Sequence, residues 1–372
     1  MTAQVQQTEF LLDVAARFLA SAREGAIREY GNGNINKTFL VTPKAGHGEP
    51  FLLQQLNTRV FEQPDRVMRN IRSVMRHLER RPLHTAPTLG RRWEVPHVLL
   101  TEEGLDHWLA GDGSYWRALR FIGQSQTVDA VRDPDQAREV GFALGTFHSL
   151  LSDLPISELT DTLPGFHIAP AYLARYDQVS RSTPAGSSTE ETWCTRFIAE
   201  HRDWVPVLED ARERGLLRLR PIHGDPKVNN ILFDAATGQA IGMVDLDTIK
   251  PGLAQYDIGD CLRSSCNPDG EETGRWQDVR FDPVLGKAVL EGYLTVARGF
   301  FDAADFDFLP ASVRLIAFEL GLRFFTDHLE GDVYFKVTRR GQNLARALVQ
   351  LSLARSIDDR LDDLRAIVED LR

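Results

Sequence analysis

Only three cysteines, Cys194, Cys261 and Cys266, occur in the 372 residues. So sparse and odd a set argues against a disulfide framework and for a reducing compartment. No apolar run approaches the roughly 18 residues that span a bilayer. The N-terminus has no basic stretch leading into an apolar core, so no secretory leader is expected. The chain is therefore read as cytoplasmic, with no membrane partner. Positive charge is also short: Lys and Arg number 43 against 53 Asp and Glu, a formal net charge of −10. A sequence-independent nucleic-acid binder needs a basic surface to neutralise phosphates, so nucleic acid is not an expected partner, although a nucleotide ligand remains open. There is no internal repeat and no Walker G-x-x-x-x-G-K-[ST] element. What is present, 42% hydrophobic and 26% charged residues, is an ordinary globular composition long enough for two domains or one two-lobed unit.

Residues 8–20 carry apolar side chains at helical spacing. Two β-type runs follow, 35–41 and 51–56, joined by the turn-rich PKAGHGEP, which is a hairpin signal. Val67, Ile71, Val74, Met75 and Leu78 then share one helical face across 64–81, with Pro64 at the first position. Short β-like pieces close this part, among them 116–122. Beyond Gly123 helical patterns dominate, at 134–154, 190–215, 282–300, 310–330 and 340–370. One β-hairpin interrupts them at 230–245, and 180–189 reads as a loop.

The segment IHGDPKVNNILFDAATGQAIGMVDLD, residues 222–247, concentrates the chemistry. Asp225 lies on a loop before the hairpin, Asn230 five residues later, and Asp245 at the end of the second strand, so the three converge at one end. Phosphoryl transfer needs such a set: one group to orient a hydroxyl and accept its proton, and two oxygen ligands for Mg²⁺ on the nucleotide phosphates. An EF-hand reading of DLDTIKPG fails, because Ile249, Lys250 and Tyr256 occupy positions that require an oxygen ligand, a glycine and a glutamate.

HGDPKVNN followed by VDLD resembles the catalytic loop and metal strand of the aminoglycoside phosphotransferase and choline kinase superfamily, H-G-D-x-x-x-x-N and then I-D-x-D. The resemblance implies an α+β, bilobal protein kinase-like fold with a small β-rich N-terminal lobe, residues 1–122, and a larger, mainly helical C-terminal lobe, residues 123–372. It implies Asp225 as catalytic base, Lys227 touching the transferred phosphate, Asn230 and Asp245 as Mg²⁺ ligands with Asp247 assisting, and ATP as co-substrate. His223 is assigned to loop geometry and Asp257 to bracing the catalytic loop, with Asp260 opening the next helix. YGNGNINKTFLV, residues 30–41, resembles the loop over the nucleotide phosphates, with Gly31, Asn32 and Gly33 at the anion and Asn36 in place of a third glycine. RFIG resembles the hinge, which places adenine at Phe121 and Ile122. The third strand departs from the pattern: Gln54 and Gln55 stand where a lysine is expected, so the phosphate contact has no assigned residue, and neither Glu62 nor Glu79 is singled out as its partner.

Over residues 30–357 the sequence is most similar to the bacterial N-acetylhexosamine 1-kinases, through NTRVFEQPDRVMRNI and LRFFTDHLEGDVYFKV besides the motifs above. That likeness implies transfer to the anomeric hydroxyl of an amino sugar, with Arg323 and Tyr334, neighboured by Arg263, holding it. Asn34 stands where these relatives tend to have His, which bears on sugar selectivity. Two other readings stay open: the same fold acting on an aminoglycoside, choline, homoserine or another sugar, with Asp327, Glu330 and Asp332 available to a cationic acceptor, and a catalytically silent nucleotide- or sugar-binding protein. The acidic excess of the chain falls in residues 123–372, while residues 1–122 are mildly basic.

Overall fold

The computed structural model describes residues 2–31, 35–80, 88–183, 186 and 188–372. Its N-terminal region is one antiparallel sheet in the order β1 (Ala26–Glu29), β2 (Lys37–Thr42), β3 (Phe51–Leu56), β6 (Tyr115–Arg120), β4 (Val98–Leu99), with β5 (Trp108–Leu109) also on β6. The period-2 alternation of strands sorts the side chains onto two faces. Phe39 and Val41, Phe51 and Leu53, and Trp116 and Ala118 face one way and pack beneath Leu11, Val14 and Phe18. The alternate positions, among them Leu56 and Tyr115, join the main core with helix α2 (Pro64–Glu79). Gln54 and Arg117, directly opposite one another across β3 and β6, belong to this second face.

Helix α1 (Thr2–Ala15) starts and ends earlier than the apolar pattern predicts. At Ala15 the chain tightens into i to i+3 hydrogen bonds, Arg17 to Val14 and Phe18 to Ala15, so Phe18 reaches the core from a turn. Helix α2 carries Pro64 in its first turn, as predicted. Its Asn70 is bonded to the helical region, donating to the carbonyls of Thr160 and Ile249 and accepting from Thr160 N–H.

The C-terminal region is mainly helical: α3 (Pro134–Leu151), α4 (Ala169–Ser182), α5 (Thr189–Glu200), α6 (Val207–Glu213), α7 (Ala254–Ser265), α8 (Pro283–Ala297), α9 (Ala303–Glu330), α10 (Gln342–Asp358) and α11 (Leu361–Leu371). Between α6 and α7 lie β8 (Arg220–Ile222), the predicted hairpin β9 (Ile231–Asp234) and β10 (Ala240–Met243), and β11 (Lys250–Gly252), which pairs with β8. Strand β7 (Ser125–Gln126) adds to β9 immediately after the chain leaves the N-terminal sheet. The α9 pattern begins before the predicted start at 310: Asp302 and Asp305 form a reciprocal capping box, and Pro310 is accommodated inside the helix. No helix among the described residues is long and apolar enough to cross a membrane.

Helices α3 and α8 approach at three glycines. A Cβ on Gly141 would overlap the Val289 carbonyl, one on Gly145 would press on the Tyr293 carbonyl, and one on Gly292 would overlap the Arg138 carbonyl. Backbone atoms cannot swing aside as flexible side chains do, so overpacking is costly here. Gly141→Ala is expected to lower unfolding free energy by about 1–3 kcal/mol, read from the urea midpoint at constant slope; an unchanged midpoint would contradict the close helix approach.

Candidate active site

The loop after β8 is fixed from below by one carboxylate. Asp257, in the first turn of α7, accepts from His223 N–H at 2.6 Å through Oδ2 and from Gly224 N–H at 2.8 Å through Oδ1. His148 Nε2 lies 2.9 Å from the same Oδ2, and its Nδ1 is 2.8 Å from the Tyr293 hydroxyl. Burial alone would raise the Asp257 pKa, but these donors and the neighbouring imidazoles hold it below its ordinary value. Gly224 has φ of 86° and a Cβ there would press on the Thr248 carbonyl, so the turn needs glycine. Asp260, expected to open a helix, instead lies inside α7 and pairs with Arg263, because the helix already starts at Ala254.

His223 is fully buried, and burial lowers its pKa. Its Nδ1 accepts from Asp225 N–H at 3.3 Å, so its Nε2 carries the proton and donates to the Val244 carbonyl at 3.0 Å. Both nitrogens of a neutral ring are thereby occupied in holding the loop.

Asp225 is half-buried at the loop's crest. Lys227 Nζ donates to its Oδ2 at 2.7 Å and Asn230 Nδ2 lies 3.2 Å from the same oxygen, while Oδ1 makes no hydrogen bond among the described residues. Asn230 also donates to the Asp225 carbonyl at 2.8 Å, which turns its amide oxygen the other way. Lys227 is held charged: burial opposes this, but Asp225 and Asp245 outweigh it. Asp245 follows β10 in left-handed conformation, φ 64° and ψ 60°, a strained geometry for a non-glycine residue. It is exposed; desolvation by the surrounding protein, then the charge of Asp247, raises its pKa against the opposing charges of Lys227 and Arg117.

These donors fit a hard divalent cation. Asp247 and Asp225 place negative charge beside Asp245, and Asn230 and Asp245 present oxygen ligands. Among the described residues no three His, Cys, Asp or Glu side chains form a ready metal cage. Mg²⁺ typically takes one or two protein ligands and completes its shell with water and phosphate. The assisting-ligand role expected for Asp247 does not fit its position. Asp247 is 2% exposed, with Oδ1 2.5 Å from Arg117 Nη1 and Oδ2 accepting from Asn36 Nδ2 at 2.7 Å. Both its oxygens face the N-terminal sheet.

Just beyond the end of β1, Gly31 has φ of 76°, and a Cβ there would meet nothing within 4 Å among the described residues. Asn32, Gly33 and Asn34 lie outside the described residues. Asn36, which breaks the glycine pattern, has a role of its own: its Oδ1 accepts from Asn57 N–H at 3.0 Å while its Nδ2 holds Asp247. Phe121 meets Tyr30 edge to face, and Ile122 packs with Leu232, Ile241 and Val244 of the hairpin, an apolar floor at the hinge.

On the other side, Arg323 of α9 lies 4.9 to 5.4 Å from the ring centres of Phe166, Tyr172 and Phe335, with no carboxylate within ion-pair distance among the described residues. Tyr334 is exposed in the turn that carries Phe335. That turn is built on Asp327, which accepts the N–H groups of Val333, Tyr334 and Phe335. Glu330 pairs with Arg175, and Asp332 accepts from Asn343. Arg263 is 3% exposed and paired with Asp260 and Glu271, so the structure places it behind the site as part of the scaffold and not as an open donor.

Sequence reasoning passed over Arg117, His148 and His167. Strand alternation was the signal for Arg117, since it puts this residue on the face opposite Trp116 and Ala118. His167 has left-handed φ of 65°, Nδ1 3.1 Å from Glu319 and Nε2 2.8 Å from the Gly224 carbonyl. Both nitrogens face acceptors, so the ring is doubly protonated. Burial opposes the charge, but Glu319 and Asp260 raise its pKa above the ordinary value. A raised folded pKa adds stability in full below the unfolded value of about 6.5, and the gain is lost as pH rises through the folded pKa. Relative to His167→Gln, the wild type should therefore lose unfolding free energy as pH is raised from 6 to 9; parallel denaturation profiles would refute the charged pair.

Residues 26–300 match the model of the phosphotransferase enzyme family. Among solved structures, a microcompartment-associated aminopropanol kinase superposes with TM-score 0.63 at 17% identity, covering 96% of this chain and 98% of that one. A choline kinase from Cryptosporidium parvum gives 0.61 at 15%, covering 97% of each. An amicoumacin kinase solved with AMP-PNP, Ca²⁺ and Ami gives 0.53 at 13%, covering 100% of this chain and 96% of that one. These likenesses carry the fold, a β-sheet N-terminal region joined to a helical C-terminal region in the protein kinase-like manner. With the family model matched over well more than half its length, the chain belongs to the phosphotransferase enzyme family.

Proposed function

We propose that this protein is an ATP-dependent kinase that phosphorylates the anomeric hydroxyl of an N-acetylhexosamine. The observation that carries the acceptor class is Arg323: a guanidinium without a carboxylate partner among the described residues, lined by three aromatic rings, next to the loop that bears Asp225. A fixed positive charge repels choline or an aminoglycoside. The three acids that would have welcomed such a cation, Asp327, Glu330 and Asp332, already hold the 333–335 turn, Arg175 and Asn343. A neutral sugar finds donors in Arg323 and Tyr334 and an apolar wall in the rings.

In this reading Asp225 orients the acceptor hydroxyl and takes its proton on Oδ1, the oxygen left open when Lys227 and Asn230 engage Oδ2. Lys227 also faces the transferring phosphoryl oxygens. Asn230 and Asp245 hold Mg²⁺, which when bound neutralises charge on the phosphates. Phe121 and Ile122 receive the adenine, Gly31 lies over the phosphates, and residues 1–122 and 123–372 form the two lobes.

ADP release should depend on ATP, Mg²⁺ and N-acetylglucosamine or N-acetylgalactosamine. Asp225→Asn should lower kcat by about 10²-fold or more, and Arg323→Met should raise the sugar KM with a smaller effect on kcat. Turnover preferring choline, aminopropanol or an aminoglycoside over every neutral sugar would overturn the acceptor assignment.

A further inference from the structure

Kinase folds bring a cation from the third strand to the nucleotide phosphates, yet β3 here offers Gln54 and Gln55. The neighbouring strand holds the missing charge. Gln54 pairs with Arg117 across β3 and β6, and its Oε1 accepts from Arg117 Nε at 2.9 Å while its Nε2 donates to Thr38 Oγ1 at 3.0 Å. The glutamine is thus locked in place as a support for the arginine. Arg117 is 1% exposed and its Nη1 lies 2.5 Å from Asp247 Oδ1, so two charges have been withdrawn from water together. A buried pair of this kind is rarely kept for stability alone, since an apolar replacement of the same shape often does as well.

Two details point the pair toward the nucleotide site. A guanidinium has five N–H donors; Nε goes to Gln54, whereas Nη1, although in ion-pair contact with Asp247 Oδ1, and Nη2 make no hydrogen bond among the described residues. Asp247, in turn, is tied by Asn36 to the end of the loop that begins at Gly31, and it stands two residues from Asp245.

We propose that Arg117 is the phosphate-positioning cation of the N-terminal region: the role of a third-strand lysine is carried from β6, with Gln54 as its support and Asp247 as its anchor. This rests on the kinase reading above. It also explains why Asp247 is turned away from the metal position, because its charge is needed to fix the guanidinium.

The test measures nucleotide binding by calorimetry in the presence of Mg²⁺, on wild type, Arg117→Gln and the double variant Gln54→Lys/Arg117→Gln, which returns a cation to the same face of the sheet one strand away. Arg117→Gln should weaken ATP by at least about ten-fold, as the loss of a charge-assisted contact implies, while adenosine binds as before. The double variant should recover ATP affinity to within about three-fold. Equal ATP affinity in Arg117→Gln, equal losses for ATP and adenosine, or a folded double variant that stays at least ten-fold weak would overturn the assignment. If Arg117→Gln does not fold, the double variant against wild type decides by the same thresholds. Wild type that binds adenosine and ATP equally would overturn this inference alone, and wild type that binds neither would remove the kinase reading and the inference with it.

Discussion

The site depends on a buried carboxylate that accepts two consecutive backbone N–H groups. Asp257 takes the amides of His223 and Gly224 at the point where the chain turns under Thr248. A buried amide without a partner is expensive, and a buried carboxylate without donors more so. Each therefore holds the other in place, and His148, itself set by Tyr293 on α8, completes the shell. The glycines at which α3 and α8 meet bring His148 and Tyr293 together. The position of the loop that carries Asp225 is in this way a consequence of helix packing.

Charge is handled by the same logic across the cleft. Asp225 meets Lys227 and Asn230 on the loop, and Asp247, two residues after Asp245, meets Arg117 and Asn36 on the sheet side. His167 ties the loop to Glu319 of α9, and Arg323 one helical turn later turns into the aromatic cluster. The residues proposed to react and those proposed to recognise the acceptor are thus mounted on the same helix and loop, so their spacing is fixed by packing.

Much of this was legible in the sequence, for a physical reason. Asp225, Asn230 and Asp245 are separated by a loop and one hairpin, and a hairpin of given length brings its two ends together whatever surrounds it. The β2–β3 hairpin and the proline-led α2 rest on equally local rules. Contacts between distant segments were not legible. Arg117 and Asp247, 130 residues apart, or His167 and Glu319, 152 apart, meet only because of how sheet and helices are stacked. The roles assigned to Asp247, Asp260 and Arg263 shifted for that reason: each was read from its neighbours in sequence, and each is claimed by a partner whose position the local pattern does not encode.

The central claim is that this cleft moves a phosphoryl group from ATP onto the anomeric oxygen of a neutral amino sugar. Phosphorus NMR of the wild-type protein with ATP, Mg²⁺ and N-acetylglucosamine tests it most directly. The account predicts a new phosphomonoester resonance coupled to the anomeric proton, growing as ADP accumulates. A phosphomonoester coupled to any other proton of the sugar, or ATP left intact with the sugar yet consumed when an amino alcohol takes its place, would contradict it.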